Sequence, residues 1–200
     1  MKLYNQIRDK YKPGEIFFFE DIAGQEDNQQ SILVQLCSLN KKGLIKKVGK
    51  GMYYIPFIHP LFGELYVSQE EIIKACCRKT DGYVSGPNIH NQFHLTEQVP
   101  NTITIACKRQ YPDKIIQGIR LRFKKYKTSP KGKDIHILQL LDCIDQIDTI
   151  AGKKENEVLD ILKNHIESLN TKQQHKLVQY SFFYPSMTRY RLTKLTPEVM

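Results

Sequence analysis

The spacing of apolar positions changes several times along the chain, and each change marks a new element. Leu3, Tyr4, Ile7 and Tyr11 recur at helical spacing and predict a short first helix, broken at Lys12-Pro13-Gly14. Ile16 to Phe18 reads as a brief strand, and Phe19 to Ala23 as a second short helix stopped by Gly24. Ile32, Leu33, Leu36 and Leu39 then trace the core side of a third helix, with Asp27 as its cap and Gln30 at the capping-box position. Gly43 ends that helix as a left-handed cap would. Beyond it, Leu44 to Val48 and Met52 to Ile55 read as strands joined through Gly49-Lys50-Gly51, whose two glycines supply the positive φ of a tight hairpin. The run Phe17-Phe18-Phe19 reads as core bulk for a small domain rather than as a base-stacking platform.

Helix, short strand, helix, helix, hairpin is the order of a winged helix-turn-helix, and it closes near Pro56. The expected fold is α+β: a winged helix-turn-helix over residues 1–56, a Pro- and Gly-containing linker over 57–67, and a mixed α/β domain over 68–200 whose C-terminal part is helical. In the second domain, Ser68 with Glu71 has capping-box spacing and predicts a helix to about Lys79. Asp81-Gly82 turns the chain, Tyr83 to Ser85 reads as a short strand, and Gly86-Pro87 opens a helix to about His94. From Asp134 onward, Ile137, Leu140, Leu141, Ile144 and Ile147 form one apolar stripe, and Val158, Leu159, Leu162 and Ile166 another. Thr171 and Ser186 stand where caps of two further helices belong.

Charge sharpens this picture. The net charge is +9, and residues 102–133 alone carry 10 basic and 1 acidic side chain. Within them Ile119, Leu121 and Phe123 alternate with Arg120, Arg122 and Lys124. In a strand those sets take opposite faces, one apolar and one bearing three cations in a row. The row reads either as a second phosphate-contacting surface or as a solvated outer face; an acidic protein partner is a competing use.

The third helix and hairpin carry the main candidate site. Asn28, Ser31, Gln35, Ser38 and Lys42 share a polar arc free of carboxylates. Such side chains suit base edges in a major groove, and Asn28, Ser31, Gln35 and Ser38 are the candidates for that contact. Lys41, Lys42, Lys46, Lys47 and Lys50 are the candidates for phosphates. The plainer reading is a small α/β unit with a solvated lysine turn.

Several features resemble the AbiEi family of antitoxins and transcriptional regulators of type IV toxin–antitoxin and abortive-infection systems. They are Leu39-Asn40-Lys41-Lys42-Gly43-Leu44-Ile45, Gly49-Lys50-Gly51-Met52-Tyr53, and Ser85-Gly86 leading to Leu95, Pro100 and the segment Thr102 to Ala106. The resemblance implies an N-terminal domain that represses its own operon; the operator expected for the winged helix is an inverted repeat in double-stranded DNA. The resemblance further implies a C-terminal domain conferring antitoxicity, and a nucleotidyltransferase-like toxin encoded alongside. The Gly-Ser and paired-aspartate pattern of such a toxin is absent from this sequence.

Catalytic motifs are scarce. His90 and His94 have zinc-compatible spacing without a third ligand, and Asp142, Asp145 and Asp148 are three apart on a helix, as a solvated stripe or partners of the basic strand would be. No P-loop and no G-x-S-x-G occurs, so the chain is expected to be a non-enzyme without cofactor or metal. A nucleic-acid-processing enzyme that docks substrate through the winged helix is the alternative, and an adaptor a third reading. Five cysteines without a CxxC pair, a polar N-terminus and no long apolar run predict a cytoplasmic protein with reduced thiols and no membrane span.

Overall fold

The structure, a computed structural model, describes residues 2–24 and 28–196. It is a mixed α+β fold in two compact units: residues 1–76 with 115–119, and residues 77–114 with 120–200.

The first unit follows the order read from the sequence: α1 (Lys2–Lys10), β1 (Ile16–Phe18), α2 (Phe19–Ala23), α3 (Gln29–Lys41), β2 (Lys46–Gly49) and β3 (Met52–Tyr54). β3 is the central strand and pairs antiparallel with β1 and β2, in the order β1-β3-β2. Phe17 is fully buried and stacks on Tyr11 and Tyr53, with ring centroids 5.1 and 6.0 Å away. Leu3, Ile7, Ile32, Leu36, Leu39 and Ile45 close the core around this stack.

Gly43 has φ +71°, and its N–H bonds Asn40 O while that of Leu44 bonds Leu39 O. These are the paired bonds of a Schellman cap, which no side chain with a Cβ forms as cheaply. Three details differ from the sequence reading. Asp27 lies outside the described residues, and Asn28 is the cap, its Oδ1 accepting from Ser31 N–H at 3.3 Å. Leu33 is exposed because it sits about 100° round the helix from Ile32, whereas Ile32, Leu36 and Leu39 fall on one buried arc. At the hairpin only Gly51 has positive φ; Gly49 belongs to β2, beside a bulge.

Residues 57–67, read as a linker, hold an antiparallel two-stranded hairpin of β4 (Phe57–His59) and β5 (Gly63–Leu65). α4 (Gln69–Thr80) follows. Ser68 Oγ accepts from Glu71 N–H, and the Glu71 carboxylate accepts from Ile16 N–H of β1.

The second unit contains β6 (Tyr83–Ser85), α5 (Pro87–Gln92) and β7 (Thr102–Cys107); β8 (Lys114–Ile116) and β9 (Ile119–Lys125) come next in the chain. β7 pairs antiparallel with β6 and parallel with β9. The helices α6 (Ile135–Asp145), α7 (Glu155–Glu167), α8 (Thr171–Ser181) and α9 (Ser186–Leu195) supply most of the core: Ile137, Leu140, Leu141, Ile144, Leu162 and Leu192 are buried together with Tyr83, Phe93 and Leu95. Asn170, not Thr171, caps α8 through reciprocal bonds with Gln173, and Ser186 is the first residue of α9, with Pro185 in the cap position. Asn and Thr both cap helices, so local sequence does not choose between Asn170 and Thr171. No helix among the described residues is long and apolar enough to cross a membrane.

Gly82 marks where the two-residue turn into β6 is tightest. A Cβ there would stand 2.5 Å from Ala106 O and 3.1 Å from the Cys107 Cβ. Gly82→Ala therefore forces a backbone shift and is expected to lower unfolding free energy by about 1–3 kcal/mol, read from urea denaturation. An unchanged midpoint would mean that β7 is not packed against this turn.

Candidate nucleic-acid interface and a buried ionic network

The polar arc of α3 is solvent-facing. Gln35 Nε2 donates to Ser31 Oγ at 3.3 Å, and Ser38, Lys41 and Lys42 are exposed at the C-terminal end of the helix. Asn28 spends its side-chain oxygen on the cap and keeps its amide N–H groups at the surface. A groove between α1, α2 and α3 is lined by Lys2, Lys10, Asp21 and Gln35, with Lys10 Nζ donating to Asp21 O at 3.1 Å. On the outermost arc stand Gln30, Val34, Cys37 and Lys41, which with Leu33 and Ser38 line a shallow depression. Val34 and Cys37 place exposed apolar groups on this arc, which the sequence reading did not single out.

The hairpin presents Lys47 and Lys50 to solvent, while Lys46 is half-buried and pairs with Glu64 of β5 at 3.3 Å. Phe19 N–H bonds Gly51 O at 2.8 Å, which fastens the hairpin turn to the start of α2. The candidate base-edge and phosphate residues, other than the hairpin cations, thus come from α3 and its end, and all of them lie in one compact unit.

The basic strand behaves differently at its two ends. Leu121 and Phe123 are buried and Arg120 and Arg122 exposed, as the alternation requires, with Arg122 3.6 Å from Asp113. Lys124 is drawn toward the interior of the second unit, where its Nζ lies 4.0 Å from the Asp142 carboxylate. Lys127 pairs with Asp145 and sits 4.6 Å over the Tyr184 ring. Asp142 and Asp145 of the three-apart series therefore meet cations of the basic segment. Asp148 takes the guanidinium of Arg191 at 2.6 Å, which also bonds Glu155.

Asp142 is buried, and a lone carboxylate there is costly. Ser85 and Tyr83 donate to one of its oxygens and Tyr184 to the other, at 2.8 Å for the last. Burial, followed by the Asp142 charge, pushes the Tyr83 and Tyr184 phenols far above their usual range, so both stay protonated donors. Asp134 is a second such centre. Burial opposes its ionised form, but hydrogen bonds from Lys176 and Tyr180 outweigh this and hold its carboxyl below the usual range.

His90 and His94 do not share a surface: His90 is 2% exposed and His94 is exposed with φ +59°. His90 Nε2 has no hydrogen-bond partner, and no group of three or more metal-capable side chains forms among the described residues.

Fold and site together describe an α+β protein whose first unit exposes a polar helix beside a lysine-bearing hairpin. The chain belongs to a family of unknown function, DUF6088, whose model matches residues 2–178. No curated protein matches it.

Burial, then the Lys124 charge, lowers the His90 pKa from 6.5 to about 4. In this window the unfolded chain binds the proton and the folded chain does not, so stability falls as pH drops from about 6.5 to about 4 and levels off below. The loss amounts to about 3 kcal/mol at most. His136, lowered by burial and by His165, adds to it in the same direction. In urea melts at pH 7 and pH 4.5, His90→Leu should lose less stability than the native chain. An equal loss in both would remove His90 as the source.

Proposed function

We propose that this protein is a DNA-binding transcriptional repressor that serves as the antitoxin of a type IV toxin–antitoxin system and acts by binding, not by catalysis. In this reading residues 2–56 are a winged helix-turn-helix. α3 enters the major groove of an operator built as an inverted repeat, and the β2–β3 hairpin lies along the backbone. The observation that carries it is the juxtaposition in one unit of the polar, carboxylate-free arc of α3 with Lys41, Lys42, Lys47 and Lys50, all solvent-facing and held over one aromatic core.

The antitoxin half of the proposal rests on the AbiEi resemblance, whose second group of residues includes Ser85-Gly86, Leu95 and the strand from Thr102, elements of the second unit. That unit also exposes Phe182, Phe183, Met187 and Tyr190 within a short stretch, which suits a protein partner such as a nucleotidyltransferase-like toxin. Repression in the cytoplasm is the setting this function needs.

Fluorescence anisotropy with the duplex upstream of the gene tests the repressor reading. Gln35→Ala should cut discrimination between operator and scrambled duplex by about tenfold, since a bidentate base contact is worth about 1–3 kcal/mol. Lys50→Ala should weaken all duplexes alike and flatten the salt slope by about 0.9. If Gln35→Ala leaves discrimination intact, α3 does not read bases through that arc. For the basic strand, Arg120→Ser with Arg122→Ser is the informative pair, because Lys124 is committed to Asp142. A flatter slope in that variant supports a second phosphate surface, and an unchanged slope discards it.

A further inference from the structure

The β4–β5 hairpin is the most apolar exposed feature of the first unit. Leu61 and Tyr66 are 84% exposed, Phe62 75%, Ile58 73%, Phe57 44% and Leu65 39%. Nothing in the strands explains this by burial: among the described residues, β4 and β5 pair only with each other, so the outer edge of each offers free backbone groups. A two-stranded ribbon is marginal in water by itself, and an open apolar edge invites another strand.

The tip is nonetheless well formed. His59 Nδ1 accepts from the backbone N–H groups of both Leu61 and Phe62, at 3.1 and 3.3 Å, and its ring lies 4.8 Å from that of Phe62. The two most protruding apolar residues of the turn are thus held in place before any partner arrives, which lowers the entropy cost of docking.

Charge selects the partner. Residues 57–66 contain no lysine or arginine, so the hairpin has nothing to offer a phosphate backbone or an anionic lipid surface. Its one carboxylate, Glu64, is matched by Lys46 of the same chain. The result is a neutral apolar arm on a chain of net charge +9. Two such chains repel over most of their surface and can meet without like-charge cost here. Size agrees: at about 150–250 Å² for a large side chain, the exposures of Ile58, Leu61, Phe62 and Tyr66 amount to roughly 600 Å² per copy, so that two copies clear the about 1,000 Å² in total that a specific interface needs.

We propose that the β4–β5 arm is a homodimerisation element, which packs Ile58, Leu61, Phe62 and Tyr66 against the same arm of a second copy across a two-fold axis. The contact is isologous, so residue i meets residue j and j meets i. This stands on the arm alone. It also deepens the repressor reading, because a two-fold pair of chains is what an inverted-repeat operator requires.

Sedimentation equilibrium of the full chain without DNA tests it. The native protein should sediment at twice the 23.4 kDa of one chain. Leu61→Asp with Phe62→Asp should sediment at the mass of one chain, with an unchanged circular dichroism spectrum. Should that variant fail to fold, Tyr66→Lys serves as the second test and should raise the dimer dissociation constant at least tenfold. A native protein that stays monomeric, a folded arm variant that stays dimeric, or an arm filled by a different protein while the chain remains single would each overturn the proposal. A dimer that binds no duplex keeps this inference and removes the repressor; a monomer that binds the operator does the reverse.

Discussion

Phe17 stands between Tyr11 and Tyr53, and the orientation of the first unit's outer surface depends on that stack. Tyr11 follows α1, Phe17 is the middle of β1, and Tyr53 the middle of β3. Offset aromatic pairs add about 0.5–1.5 kcal/mol each beyond the area they bury, and three rings give a small unit much of the bulk it needs. Because Leu36 and Ile45 close on the same core, the helix carrying Gln35 and the hairpin carrying Lys47 and Lys50 are fixed relative to each other. A recognition surface made of separate elements is only as exact as the core that sets their spacing.

The second unit solves a different problem. Two of its carboxylates, Asp134 and Asp142, are buried and a third, Asp145, is partly so, and each is met by donors from elsewhere in sequence: Asp142 by Ser85, Tyr83 and Tyr184, Asp134 by Lys176 and Tyr180, Asp145 by Lys127 and Thr188. Buried charge is tolerated only with such satisfaction, and removing one donor costs more than the bond was worth. Part of the chain's positive excess is therefore structural, consumed inside the unit by Lys124 and Lys127. The cations left at the surface, Arg120 and Arg122 among them, are the ones available to a partner.

Much of the first unit was legible because its signals are local. The period change after Gly43, the breaks at Pro13 and Gly24 and the glycines of the hairpin each act within a few residues. What the sequence did not disclose depends on distance or on choice between equals. The β4–β5 strands hide in a stretch whose Pro60 and Gly63 signal a break, yet Pro60 lies in the turn of a hairpin and Gly63 opens its second strand. The parallel pairing of β7 with β9 joins residues about a dozen and a half apart and leaves no periodic trace. Leu33 counts as apolar in any pattern, and only the helix phase puts it outside. His90 looked like one of a pair with His94, but Gly86-Pro87 starts the helix so that His90 turns inward and the helix ends before His94.

The central claim is that α3 and the β2–β3 hairpin grip a duplex. Backbone amide shifts of the labelled full chain, recorded while the upstream duplex is added, test it residue by residue. The account predicts that the largest changes fall at Ser31 to Lys42 and at Lys46 to Gly51. Changes confined to Ile119 to Lys125 or to the helices of the second unit, or no changes at all, would contradict it.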